Sequence, residues 1–126
     1  MQASLTILAL IHISLVGIAL GWPLSISRVM PALIGILFLV LGNALPRARP
    51  NWWFGIRTPW TLSNDRVWER THRVGGYLLF GAGVACVISA FIPGAVAGIV
   101  TLSAIAASVV GSIVYSYFAW KQETSK

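Results

Sequence analysis

The side chains in this sequence that could do chemistry lie mostly in one polar segment near its middle. Six of the nine Lys and Arg residues fall between positions 47 and 73. Asp65, Glu69 and Arg73 follow one another at intervals of four, as do Trp68 and His72, so on a helix each set would share a face. Arginines placed in this way could bind an anion or a peptide carboxylate, and His72 could change its charge near neutral pH.

The same groups also have simpler interpretations, and the sequence leaves them open. They could pin the segment over the ends of helices, or the arginines could contact anionic lipid headgroups. Glu69 and His72 are three apart and could both reach one ion, but no second motif of this kind exists, so we expect no metal and no cofactor. We also expect no enzyme, because the sequence has no nucleophile–base pair and no phosphate-binding glycine loop.

The elements that must position these residues are apolar helices. Of 126 residues, 57% are hydrophobic and only 10% are charged, and the mean hydropathy is +0.82. A soluble chain carries about 25% charged residues, so a soluble enzyme, a disordered chain and a protein that binds nucleic acid directly are all disfavoured. The single Cys86 lies in an apolar run, where we interpret it as a small buried hydrophobe.

Four apolar stretches are long enough to cross a bilayer, which takes about 20 helical residues. They run from about 3–20, 27–45, 74–92 and 97–120. The sequence therefore predicts an all-α polytopic membrane protein with a single membrane domain, 1–126. It would have four transmembrane helices, and a structured loop-helix, 46–73, would connect spans 2 and 3.

The basic residues predict the orientation of these spans. The side that holds both termini and the loop carries eight Lys and Arg residues, whereas the opposite side carries Arg28 alone. By the positive-inside rule, the termini and the loop are cytoplasmic. We expect a multi-pass membrane protein.

The polar segment also carries local backbone signals. Gly55 is expected at a backbone position that a side chain would block, and Thr58, which precedes a proline, is expected outside the helical region. Ser63 or Asn64 could cap a helix. That helix is predicted from Asp65 to at least 73 and on into the third span. Its less polar side could lie on the bilayer surface and consists of Val67, Trp68 and Thr71.

Small residues and one histidine predict how the spans pack. Stripes of small residues let helix backbones approach closely in lipid, and we interpret them as packing seams within the chain or between subunits, which leaves a homo-oligomer open. His12 lies mid-span, where an ionisable group usually faces the bundle interior. The stripes comprise Ala104, Ser108, Ser112 and Ser116, then Gly17 with Gly21, and Gly94 with Gly98.

Two blocks of the polar segment closely resemble the SdpI family of small bacterial membrane proteins. The family pattern is roughly N-x-x-x-G-I-R-T-x-x-T-L, a short gap, W, two residues, and T-H-R. With its flanking spans the resemblance covers about residues 30 to 95. Here the blocks are Asn51 with Phe54-Gly55-Ile56-Arg57-Thr58-Pro59-Trp60-Thr61-Leu62, then Trp68 with Thr71-His72-Arg73 and Gly75-Gly76.

The resemblance implies a location in the bacterial cytoplasmic membrane and an immunity or signalling type of function. Such a protein would bind a toxic peptide or another membrane-active ligand and present its cytoplasmic face to a repressor-like partner protein. The alternatives are a small multidrug-type transporter and a lipid-binding accessory membrane protein. Dimeric exporters usually rely on an acidic residue within the membrane, and the four apolar stretches contain none. The candidate ligand- or partner-binding residues are Asn51, Arg57, Thr58, Trp68, Glu69, Thr71, His72 and Arg73.

Overall fold

The protein is built from helices, as expected from its composition. The computed structural model describes residues 2–126, apart from the side chains at positions 3 and 4. The described part contains no strand, which confirms the all-α prediction. Its elements are α1 (Gln2–Ala19), α2 (Ile26–Ala44), a 3₁₀ turn (Leu45–Arg47), α3 (Pro59–Ser63), α4 (Asp65–Ser89) and α5 (Ala95–Thr124).

Three of these helices are long and apolar enough to cross a membrane. They are α2 with its 3₁₀ turn (Ile26–Arg47), α4 and α5, and each has a mean hydropathy of at least 1.2 over an 18-residue window. The first predicted span corresponds to a shorter apolar helix, Leu5–Ala19. The prediction of a polytopic helical membrane protein is therefore confirmed, with three helices of spanning length and a fourth that is shorter.

Helix α4 joins the polar segment to the third predicted span. It runs without a break through Gly75 and Gly76, so the predicted loop-helix and the predicted span 74–92 form one helix that begins at Asp65 and ends at Ser89. Helix α5 likewise continues past the predicted end at 120 into the polar tail. Polar side chains on both helices are therefore held on extensions of the membrane bundle.

Glycine pairs set the packing of α2 against α4. A Cβ on Gly35 would lie 2.7 Å from the carbonyl oxygen of Gly83, and a Cβ on Gly42 would lie 2.8 Å from that of Gly76. Real Cβ contacts are not that short, so the two antiparallel backbones touch only because side chains are missing at these points. None of these four glycines belongs to the small-residue stripes predicted from the sequence.

The stripe on α5 is a seam against α4, as predicted. Ser108, Ser112 and Ser116 are all buried, and a Cβ on Gly75 would lie 3.3 Å from the Ser112 hydroxyl. Farther along, the hydroxyls of Ser89 and Thr101 are 2.8 Å apart and share a hydrogen bond between the two helices. Helix α4 therefore occupies the centre of the bundle, between α2 and α5.

Helix α1 lies at the edge, where it packs against α2 and no other described helix. The expectation that His12 faces the bundle interior is wrong for this chain, because its side chain is exposed. Gly17 packs against the Trp22 ring, but a Cβ on Gly21, Gly94 or Gly98 would have no neighbour within 4 Å. Within the chain, those three glycines are not packing seams.

Candidate functional site

The polar segment is anchored where α4 begins. The side-chain oxygen of Asn64 accepts hydrogen bonds from the backbone N–H groups of Arg66, at 2.9 Å, and Val67, at 3.3 Å. These bonds satisfy two of the donors that the first turn of a helix leaves unpaired. Asn64, rather than Ser63, is therefore the cap, and it sets where α4 begins.

His72 is the point where the segment is fastened to the helix. Its Nε2 atom accepts a hydrogen bond from the Ile56 backbone N–H at 2.8 Å, and its Nδ1 atom lies 2.8 Å from the Trp68 carbonyl oxygen. Only the neutral ring with its proton on Nδ1 can make both bonds, because an N–H can donate only to an unprotonated nitrogen. With both nitrogens engaged, His72 could bind a metal ion or a ligand only after releasing Ile56 or Trp68.

Trp68 covers the His72 ring. The two rings stack at a centroid distance of 4.0 Å and an angle of 18°, and the Trp68 indole N–H donates to the Ala48 carbonyl oxygen at 2.9 Å. Val67, Trp68 and Thr71 are all fully buried, so the prediction that this side of the helix lies on the bilayer surface is wrong. The loop folds back and covers it, which the helical spacing alone does not reveal.

Gly55 passes directly over this pair of rings. Its φ of 120° lies in the region that favours glycine, and a Cβ at this position would collide with Nε2 of His72. The expectation that a side chain would be blocked here is confirmed. The close approach of the Gly55 backbone is what brings the next amide, that of Ile56, within hydrogen-bonding distance of the imidazole.

Thr58 ties the segment to α5 as well, and Thr61 braces the segment from within. Thr58 is the cap of α3, with φ −91° and ψ 161°, and forms a capping box with Thr61. The Thr61 hydroxyl also donates to the Ile56 carbonyl oxygen at 2.8 Å, while the Thr58 hydroxyl donates to that of Ser116 at 3.2 Å. Thr61 is fully buried and was not among the candidates, although its place in the T-x-x-T spacing was a usable signal.

The remaining candidates lie on the outside of the segment. Asn51 closes a turn, because its side-chain oxygen accepts from the Trp53 and Phe54 backbone N–H groups at 2.8 and 2.7 Å. Arg57 is exposed and donates to the Trp52 carbonyl oxygen. Glu69 and Arg73 are also exposed. The structure therefore divides the predicted set into an interior group of Thr58, Trp68, Thr71 and His72 and an outer group of Asn51, Arg57, Glu69 and Arg73.

The ion pairs of the described residues converge on Glu123 rather than on Glu69 or Asp65. A carboxylate oxygen of Glu123 lies 3.1 Å from Arg70, 3.6 Å from Lys126 and, through the other oxygen, 3.9 Å from Arg66. The Glu123 side chain is only 8% exposed, so it links α4 to the end of α5. Local spacing could not identify this contact, because Glu123 is far from α4 in the sequence.

Among the described residues, one buried side-chain polar atom has no hydrogen-bond partner. The Thr71 hydroxyl is fully buried and makes no hydrogen bond to any described residue. No group of three or more His, Cys, Asp or Glu side chains in the described part could hold a metal ion. The site therefore offers hydrogen-bonding and cationic groups on its outer face, above a packed interior.

Comparisons with known proteins match a region that includes the polar segment, α4 and most of α5. The family model described as the SdpI/YfhL protein family matches residues 47–116. The chain is 27% identical over 118 residues to the immunity protein SdpI of Bacillus subtilis (strain 168). That match covers 94% of this chain and 57% of the relative, so the chain spans little more than half of the relative's length. No solved structure matches the chain significantly.

Proposed function

Because the chain belongs to the SdpI/YfhL protein family, we propose that it is an immunity-type protein of the cytoplasmic membrane. It would bind a toxic peptide or another membrane-active ligand and present its cytoplasmic face to a partner protein. The observation that carries this proposal is the similarity to an immunity protein over 94% of the chain. A binding role of this kind requires no catalytic chemistry, and we propose that the protein is not an enzyme.

The arrangement of the polar segment supports a binding surface on that face. Its interior group fastens the loop to α4 through His72 and to α5 through Thr58, so the outer groups are presented from a packed base. Trp52 and Trp53 are 72% and 92% exposed beside Arg57. Exposed aromatic and guanidinium groups are those that contribute most at protein interfaces, and a peptide would find both here.

Protection against a toxin tests the proposal directly. The chain is expressed in Bacillus subtilis strain 168 lacking its own SdpI, and survival is scored in culture supernatant from the parent strain. We expect the wild-type chain to raise survival above that of the empty vector. Arg57→Lys keeps the charge but loses the planar fork of donors, so we expect it to reduce protection. Arg28→Lys, at an exposed arginine on the opposite side, is the matched control.

Membrane yield and thermal stability in detergent are measured for each variant. They distinguish a variant that no longer binds the toxin from one that no longer folds. Equal survival with the wild-type chain and with empty vector would contradict immunity towards that toxin. Equal protection by wild type and Arg57→Lys would instead remove Arg57 from the binding surface.

A further inference from the structure

A groove opens between α2 and α4 near the loop-bearing end of the bundle. Its volume is about 390 Å³, and it is open along one side of the molecule. It lies one helical turn from the polar segment, on the outer side of the glycine seam. Its lining consists of Gly42, Asn43, Pro46, Gly76, Tyr77 and Phe80.

The glycine seam gives the groove its floor. Because Gly42 and Gly76 have no side chains, the two backbones meet and leave a furrow above the contact. Tyr77, which is 70% exposed, and Phe80, which is 47% exposed, form an aromatic wall along α4. The only polar side chains in the lining are those of Asn43 and Tyr77, so most of the surface suits a hydrocarbon chain.

Two arginines stand next to lining residues of the groove along the chain, at the end where the polar segment begins and ends. Arg47 follows Pro46 directly, and Arg73 lies one helical turn before Tyr77 on the same face of α4. Both side chains are exposed, and neither forms an ion pair with a described residue. Glu69 lies one turn before Arg73, but it makes no ion pair with it. The groove therefore joins an apolar furrow to two uncompensated positive charges.

We propose that this groove binds one anionic phospholipid. Its phosphate would lie between Arg47 and Arg73, and one acyl chain would run along Phe80 over the glycine floor. Guanidinium groups bind phosphate oxygens with charge-assisted hydrogen bonds, and basic pockets between membrane helices are suited to anionic headgroups. The site depends on neither a toxin nor a partner protein, so it goes beyond the proposed immunity function.

The experiment measures lipid retained by the full chain in detergent. Native mass spectrometry counts bound phosphatidylglycerol and phosphatidylcholine with identical acyl chains, each titrated separately. We expect a single phosphatidylglycerol to bind at concentrations where phosphatidylcholine does not. Losing a charge-assisted hydrogen bond to the phosphate lowers affinity about tenfold or more, so the double variant Arg47→Gln/Arg73→Gln should bind phosphatidylglycerol about 100-fold more weakly.

Charge-matched variants decide whether this is a site or a general effect of net charge. Arg28→Gln/Lys121→Gln removes two exposed positive charges that lie outside the groove and should leave the titration unchanged. Arg47→Lys/Arg73→Lys keeps the charges and should retain most of the preference. Glycerol 3-phosphate alone should bind far more weakly than the lipid, because it cannot occupy the furrow.

Any of three results would overturn the proposal. One is equal retention of phosphatidylglycerol by the wild-type chain and Arg47→Gln/Arg73→Gln, with thermal stability showing that both are folded. Another is an equal loss in the two double-glutamine variants, which would show attraction to net charge without a specific site. Binding of glycerol 3-phosphate as tight as that of the lipid would also refute it, because the headgroup would then not need the groove.

Discussion

The imidazole of His72 holds the polar segment through two hydrogen bonds that need one tautomer. It is fully buried, stacked on Trp68, and accepts the Ile56 N–H while donating to the Trp68 carbonyl. These two bonds give His72 a structural role, which is to hold the polar segment on α4. A substitution that keeps an aromatic ring at position 72 but removes its hydrogen bonds tests this role.

His72→Phe keeps an aromatic ring against Trp68 but removes both hydrogen bonds. The Ile56 N–H would then lose its acceptor, and leaving such a donor unsatisfied costs about 1–3 kcal/mol. We expect a lower free energy of unfolding in detergent and faster hydrogen exchange at the Ile56 amide. Glu69→Gln, at an exposed position one turn of the helix away, should change stability by less than about 0.5 kcal/mol. Unchanged exchange at Ile56 in His72→Phe would refute the role of this bond.

At the scale of single residues, much of the segment could be predicted from sequence. The positive φ of Gly55 and the helix caps formed by Thr58 and Asn64 involve only nearby backbone, so the residue types were sufficient to predict them. The contacts of Gly55 with His72 and of Thr58 with Ser116 join distant parts of the chain and were not predictable in this way. The burial of Trp68 and the pairing of Glu123 depend on partners 20 and 53 residues away in the chain. The spacing of neighbouring residues contains no information about such contacts. The side of α4 that the loop covers was therefore wrongly predicted to lie on the bilayer surface.

Among the elements, α4 is the helix on which the others depend. It packs on α2 through glycines and on α5 through serines, and it carries the polar segment at its start. The serine stripe was recognisable because its members are four apart. The glycines of α2 and α4 are seven apart within each helix, and only the pairing of the two helices shows that they face each other.

Gly83→Ala tests this seam. The new methyl group would lie 2.8 Å from the Gly35 carbonyl oxygen and 2.8 Å from the Leu39 backbone nitrogen. Both are backbone atoms, so the helices must separate, and overpacking of this kind costs about 1–3 kcal/mol. Gly81→Ala, two residues earlier on the same helix, meets nothing within 4 Å and is the control. We expect thermal stability in detergent to fall for Gly83→Ala alone, and an equal response of the two variants would contradict a backbone contact.

For the whole molecule, the distribution of charge predicts its orientation in the membrane. Eight Lys and Arg residues belong to the loop and the C-terminal tail, and Arg28 alone belongs to the opposite side. We expect both ends of the chain and the polar segment to be cytoplasmic. Reporter fusions at the C-terminus measure this orientation, and labelling of the introduced thiol in Ser27→Cys is the control for the opposite side. A C-terminal reporter active only outside the cytoplasm would show that the number of spans or their direction is wrong.

The four long helices make their main contacts in the order of synthesis: α1 beside α2, α2 beside α4, and α4 beside α5. Each helix thus meets a partner already made, but α2 ends at Ala44 and α4 at Ser89. At about 5–20 residues per second, the ribosome needs roughly 2–9 s for the intervening stretch. During that interval Gly35 and Gly42 face lipid without their partner, and other helices can compete for them. The glycine face of α2 is therefore covered only when α4 is inserted.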